Sequence, residues 1–317
     1  MSIAFNRDFE PRHAEAVSVA PGVRRVTARN PGPFTFHGTN TYLIGGDELA
    51  VLDPGPADQA HVDALVDAIG GARVKHILVS HTHRDHSPAA RLLQARTGAP
   101  ILAAGPHGPA RPLRGGETGA LDGGADVDFA PDVTLADGDV VEASGWRLEA
   151  VATPGHTANH LAFALSGTDL LFSGDHVMGW ATTIVAPPDG AMADYMASLE
   201  RLLARPEPRY LPAHGGPISD AHSFVRALRA HRRMRERAIV ERLQLGDRTI
   251  AEMVARIYSG LDPRLKGAAA LSTLAHLEDL YARDLVASDA EPSLLGRYWL
   301  TADPGSLATG EPAATAG

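Results

Sequence analysis

Four side chains able to bind a metal fall within six residues of the segment Val79-Ser80-His81-Thr82-His83-Arg84-Asp85-His86-Ser87. No other segment constrains the fold as much. A β-rich apolar run, Val74 to Val79, leads into it. Ser87-Pro88 follows, a pair suited to opening a helix with Ser as cap and Pro at the first helical position. The cluster is therefore expected on a strand-to-helix loop. Side chains alternate along an extended segment, so His81 and His83 share a face and can hold one metal. As the chain turns, Asp85 and His86 aim elsewhere, toward a second. Nitrogen and carboxylate donors suit zinc, with manganese or iron as alternatives. One histidine here would read as part of a polar loop; three with an aspartate at this spacing do not.

Three later segments set a His or Asp beside small residues, which let the backbone approach closely. They are Thr153-Pro154-Gly155-His156-Thr157, Phe172-Ser173-Gly174-Asp175-His176 and Tyr210-Leu211-Pro212-Ala213-His214-Gly215-Gly216. Each alone reads as a turn; after the first cluster they read as further ligands. Around them, residues 1–220 alternate short apolar runs with Gly and Pro. Strands are expected at 41–44, 49–52, 74–79, 100–102, 133–141, 146–152, 161–165 and 170–173. Helical spacing appears at Val62, Leu65, Val66 and Ile69, and again from Met192 to Leu203. A layered α/β (α+β) domain follows. Residues 104–126 hold seven Gly and three Pro without periodicity, so a long loop is expected there, functional or disordered.

The chain has no cysteine, which excludes a disulfide framework, a thiolate metal site and a cysteine nucleophile. That fits a reducing compartment. No apolar run approaches the roughly 18 residues of a membrane span, and Met1 to Pro11 is too polar for a secretory signal. The expectation is a cytoplasmic protein without membrane association. Net charge is −9, which argues weakly against broad nucleic-acid affinity. The exception is 221–245, with seven Arg against two Glu, a balance of +5.

From about Ile218 the texture turns helical. Phe224, Leu228, His231 and Met234 could line one helix. Thr249-Ile250-Ala251-Glu252 has the form of a capping box, opening a helix with Ile250, Met253, Val254 and Ile257 inward. Leu271, Leu274, Leu277, Leu280 and Tyr281 carry the next helix, and Val286 to Leu300 reads as a hairpin. That order is the order of a winged helix. The expected domains are therefore 1–217, catalytic; 218–301, winged helix; and 302–317, a disordered tail.

The residues His81-Thr82-His83-Arg84-Asp85-His86, Gly155-His156, Gly174-Asp175 and His214 resemble the metallo-β-lactamase-fold hydrolase superfamily. The resemblance implies a four-layer αββα sandwich with two divalent metal ions at one edge. His81, His83 and His156 would bind the first; Asp85, His86 and His214 the second; Asp175 would bridge both. Asp53, in Leu52-Asp53-Pro54-Gly55, matches an aspartate that braces the His-rich loop. Two ions held together lower the pKa of a water between them, so that hydroxide forms near neutral pH and attacks a carbonyl or phosphoryl centre. Asp85 would orient that nucleophile or accept its proton. His160 would donate a proton or contact substrate, or else hold a ligand from behind. Thr39, Asn40 and Trp180 would line the pocket, and His176 would simply pack.

Gly38-Thr39-Asn40-Thr41-Tyr42-Leu43, Asp194-Tyr195-Met196-Ala197-Ser198-Leu199 and the winged helix look most like the β-lactamase-like protein 2 group. The implied substrate is an ester, thioester or phosphodiester, with single-stranded RNA cleavage as the alternative. True β-lactamases usually hold cysteine or serine where Asp175 stands. Glyoxalase II has a helical rather than winged second domain. The arginines 226, 229, 233 and 237 read as a solvated face before an RNA track. The winged domain is expected to wall the substrate pocket or form a homodimer contact, and not to bind duplex DNA specifically.

Overall fold

The computed structural model describes residues 3–114, 117 and 124–301. The chain forms two compact units, one ending at His231 and one starting at Arg232. In the first, seven strands form one sheet in chain order: β1 (Val17–Ala20), β2 (Val23–Thr27), β3 (Asn40–Gly45), β4 (Glu48–Leu52), β5 (Arg73–Leu78), β6 (Ile101–Ala103) and β7 (Val133–Thr134). β1 to β4 pair antiparallel and β4 to β7 parallel. A second sheet runs in the order β12 (Arg209–Pro212), β11 (Leu170–Gly174), β10 (Leu161–Leu165), β9 (Trp146–Ala152), β8 (Val140–Ala143).

The period of two along β3 sorts its side chains to two cores. Tyr42 and Ile44 join Leu148, Phe163, Phe172 and Leu211 between the sheets. Leu43 joins Val51, Leu65, Ile77 and Leu93 beneath the helices α1 (Gln59–Ile69) and α2 (Ala89–Thr97). A sheet buried on both faces explains why its strands read as continuous apolar runs. On the far side, α3 (Met192–Leu203) buries Met192, Tyr195, Leu199 and Leu202. The Tyr210 hydroxyl of β12 donates to the Leu202 carbonyl at 3.3 Å. The order is helix, sheet, sheet, helix.

Several local expectations are corrected. The run 133–141 is two strands, β7 and β8, because the Asp139 carboxylate accepts the Ala136 N–H at 2.7 Å and closes a turn between them. β1 and β2 were not expected, since Val17–Ala20 and Val23–Thr27 are short and carry Arg24 and Arg25. α2 begins at Ala89, and Ser87 does not cap it. The Ser87 hydroxyl instead donates to Asp126 at 2.7 Å.

The units divide inside α4 (Ala221–Gln244), later than the expected boundary at 217/218. The first turns of α4 belong to the first unit: Ala221, Val225 and Leu228 are buried there, and Arg229 pairs with Glu200. Met234, placed inward by spacing, is exposed. In the second unit, the Thr249–Glu252 capping box opens α5 (Ile250–Ile257). α6 (Lys266–Ala282) and the hairpin β13 (Val286–Ser288)–β14 (Tyr298–Leu300) follow. Ile239, Leu243, Ile250, Met253, Leu274, Leu277, Leu280, Val286 and Tyr298 share one core; Tyr281 is exposed. The tail 302–317 and part of the glycine-rich loop lie outside the described residues. Among the described residues no helix is long and apolar enough to cross a membrane.

Candidate metal centre

The loops at one end of the two sheets bring all seven expected ligands together. After β5, His81 and His83 meet His156 from the loop after β9. His81 Nε2 and His156 Nε2 each lie 3.0 Å from His83 Nδ1. The opposite ring edges show what these nitrogens carry. The Ser80 hydroxyl donates to Asp53 Oδ2 at 2.7 Å, so it accepts from His81 Nδ1 at 3.0 Å. His156 Nδ1 donates to the Ile184 carbonyl at 2.6 Å. His81 and His156 therefore turn lone pairs, not protons, toward His83 Nδ1. A cation among the three nitrogens, or a proton on His83 Nδ1, satisfies these lone pairs.

The second group is built the same way. His86 Nδ1 donates to Asp53 Oδ2 at 3.2 Å, and His214 Nδ1 to the Gly38 carbonyl at 3.2 Å. Their Nε2 atoms lie 3.2 and 3.1 Å from Asp85 Oδ2. Asp175, after β11, lies between the groups. Its Oδ2 is 3.6 Å from His86 Nε2 and 3.7 Å from His156 Nε2, and its Oδ1 is 3.3 Å from His214 Nε2. His86 Nε2, His214 Nε2 and Asp175 Oδ1 are buried and make no hydrogen bond. The donor sets His81–His83–His156, His81–His86–Asp175 and Asp85–His86–His214 each could hold a metal ion. Buried histidines whose far nitrogens are tied to acceptors, converging with two carboxylates, fit such ions.

Electrostatics divide the groups. Burial holds His83 down to about 3, with the neighbouring His156 acting in the same direction, and burial likewise depresses His81 and His156. Burial also opposes charge on His214, but Asp175 and Asp85 outweigh it and push it up to about 10. His86 is raised against burial by the same two carboxylates. Asp85 and Asp175 are held well below the carboxylate range, their burial outweighed by His86 and His214. Asp85 and His83 have the most exposed side chains of the seven, 25% and 18%, so the centre opens to solvent on their side.

Bracing residues fix the ligand loops. Asp53, at φ 50, adopts the left-handed region, sparsely populated for a residue with a side chain. Besides His86, its carboxylate takes the Ser80 N–H at 2.7 Å. Gly155 is needed at φ 134, where a Cβ would lie 2.3 Å from the Tyr195 backbone. Thr39 donates to Asp85 Oδ2 at 3.3 Å, and Asn30 donates to the Thr39 hydroxyl at 3.0 Å.

Of the two readings of His160 the structure favours the bracing one over proton donation to substrate, and Asn40 departs from its expected place. His160 is buried with both nitrogens engaged: Nε2 accepts the Asp175 N–H at 3.1 Å and Nδ1 faces the Thr153 hydroxyl at 2.8 Å. It holds Asp175 from behind and offers no nitrogen to substrate. Asn40 does not line a pocket; its amide donates to the Pro212 and Gly215 carbonyls at 3.1 and 2.9 Å, clamping the His214 loop. Trp180 is half-buried and stacks on Phe36, ring centroids 4.8 Å apart. His176 packs against Tyr195 at 4.5 Å. Sequence reasoning missed Asn30 and Ser80. Of these, only Ser80 stood beside a motif that could have pointed to it.

Comparison with known proteins agrees with this geometry. Residues 34–214 match the metallo-beta-lactamase superfamily, and residues 249–299 match the beta-lactamase associated winged helix domain. The chain belongs to the metallo-β-lactamase superfamily and is a hydrolase of that fold. It is 30% identical over 242 residues to a beta-lactamase-like protein 2 homolog of Caenorhabditis elegans, covering 73% of this chain and 75% of that one. It is 28% identical over 264 residues to an atrochrysone carboxyl ACP thioesterase of Claviceps purpurea, covering 79% and 76%. A metallo-beta-lactamase family protein of Thermus thermophilus superposes with a TM-score of 0.71 at 25% identity, covering 89% of this chain and all of that one.

Proposed function

We propose that this chain is a binuclear metal-dependent hydrolase of acyl thioesters or esters. The observation that carries this is the placement of Asp175 between the His81–His83–His156 and Asp85–His86–His214 groups, with the opposite edges of His81, His86, His156 and His214 tied to acceptors. Zinc suits these donors. Bound divalent ions would supply an activated water at neutral pH and polarise the carbonyl. The chain's own residues do the rest. The five histidines, neutral when an ion is bound, hold the donor geometry. Asp85, on the open side with Thr39 on its Oδ2, orients the attacking water and accepts its proton.

Support for an acyl substrate over RNA comes from the similarity to named thioesterases. It also comes from the pairing of Arg229, one of the four arginines weighed as a solvated face or an RNA track, with Glu200. The test is a side-by-side panel on zinc-loaded protein: acyl-pantetheine thioesters, lactoylglutathione, single-stranded RNA and nitrocefin. Turnover of the acyl thioesters above the others is expected. RNA cleavage with inert thioesters would reverse the assignment.

A further inference from the structure

We propose that Asp189 is a positioning residue of the metal centre, shared by His83 and His107, which fastens the start of the glycine-rich loop to the first nitrogen trio. This rests on the binuclear reading above. Asp189 is 1% exposed, and neither carboxylate oxygen makes a hydrogen bond. A buried carboxylate without a partner is strongly disfavoured. The nearby amides cannot serve it, because Gly190 N–H is given to the Ala186 carbonyl and Ala191 N–H to the Gly155 carbonyl. Two imidazoles face it instead: His83 Nε2 lies 4.0 Å from Oδ2, and His107 Nε2 lies 3.5 Å from Oδ1. These separations exceed a hydrogen bond by about 0.5 to 1 Å.

Each other ligand histidine has its far nitrogen on an acceptor: Ser80, Asp53, Ile184 or Gly38. His83 lacks one unless Asp189 is it. A carboxylate facing Nε2 keeps the proton there, leaves the Nδ1 lone pair for the ion and makes that nitrogen more basic.

His107 explains what the loop is for. The Thr82 hydroxyl, between the two ligand histidines, accepts from the Asn159 amide at 3.0 Å and faces His107 Nδ1 at 3.0 Å. Its own proton is thus available to Nδ1, which puts the His107 proton on Nε2, toward Asp189. The Asn159 amide also reaches the Pro106 carbonyl at 3.1 Å, and Ala110 N–H donates to the Pro188 carbonyl at 2.8 Å. Residues 105–110 are docked on the centre, with Asp189 and Thr82 gripping His107 from opposite sides.

The test compares wild type, Asp189→Ala, the near-isosteric Asp189→Asn and His107→Ala by zinc competition with a chromogenic chelator. Hydrogen exchange over 105–110 is followed in parallel. Asp189→Ala should weaken one of two zinc sites about 10- to 100-fold, with Asp189→Asn between it and wild type. His107→Ala should raise exchange over 105–110 with a smaller change in affinity. Imidazole nitrogen spectra of the zinc-loaded protein should show His83 protonated at Nε2 in wild type and lose that signal's protection in Asp189→Ala. Two wild-type sites with unchanged affinity in both Asp189 variants would overturn this inference alone. Fewer than two sites in wild type would instead overturn the binuclear reading beneath it.

Discussion

Asp53 accepts from the Ser80 amide, the Ser80 hydroxyl and His86 Nδ1. Replacing it with Ala strands those donors in a buried site. Asp53→Ala should therefore cost about 3 kcal/mol in denaturant unfolding, a few donors' worth of desolvation, and weaken zinc at the second group. An unchanged midpoint would show that the brace is dispensable. Thr39 acts more gently. Thr39→Val removes the hydroxyl from Asp85 Oδ2 and should lower kcat severalfold with KM little changed, while Thr39→Ser restores it. Equal rates for the two variants would count against a positioning role. His61 reports on pH. Its Nε2 lies 2.9 Å from the Thr41 hydroxyl, and burial holds it down to about 4, against about 6.5 in an unfolded chain. Above pH 6.5 both states are neutral and the contribution is fully present. As pH falls from 6.5 toward 4, the unfolded chain takes a proton that the fold refuses, so stability is lost. In chelated protein, His61→Gln should reduce the loss between pH 7 and 5 by up to about 2 kcal/mol. Parallel curves for the two proteins would remove this contribution.

The elements matter because they set where loops end. The N-terminal turns of α3 press Tyr195 against Gly155, one residue before His156. Gly155→Ala should cost about 2 kcal/mol through overpacking and a strained φ, seen as a lower unfolding midpoint. A neutral effect would mean that α3 shifts freely. Most strands near the site were legible in the sequence because strands buried on both faces read as apolar runs, whether paired parallel as β5 is or antiparallel as β10 is. The capping box was legible because its bonds are local. β1 and β2 were not, since pairing with β3 stabilises them and pairing is long-range. Ser87 had the local chemistry of a cap, but Asp126, distant in sequence, took its hydroxyl. The seven residues that gather at the centre were legible by residue type and spacing. The tautomers were not, because the acceptors behind them are often backbone carbonyls such as Ile184 and Gly38, whose positions exist only after folding. His160 was ambiguous for the same reason: only the fold shows the Asp175 N–H on its Nε2.

At the scale of the molecule, two sheets deliver seven donors from four loops to one end of the sandwich, and the winged unit has its own core, to which the C-terminal half of α4 contributes Ile239 and Leu243. On the binuclear reading these donors hold two ions around Asp175. The most direct measurement is zinc content per chain after loading and gel filtration, by elemental analysis, for wild type and for Asp175→Ala. About two ions per wild-type chain are expected, with the variant losing at least one and nearly all hydrolysis. A wild-type chain that holds one ion, or that is fully active without metal, would rule out a binuclear centre.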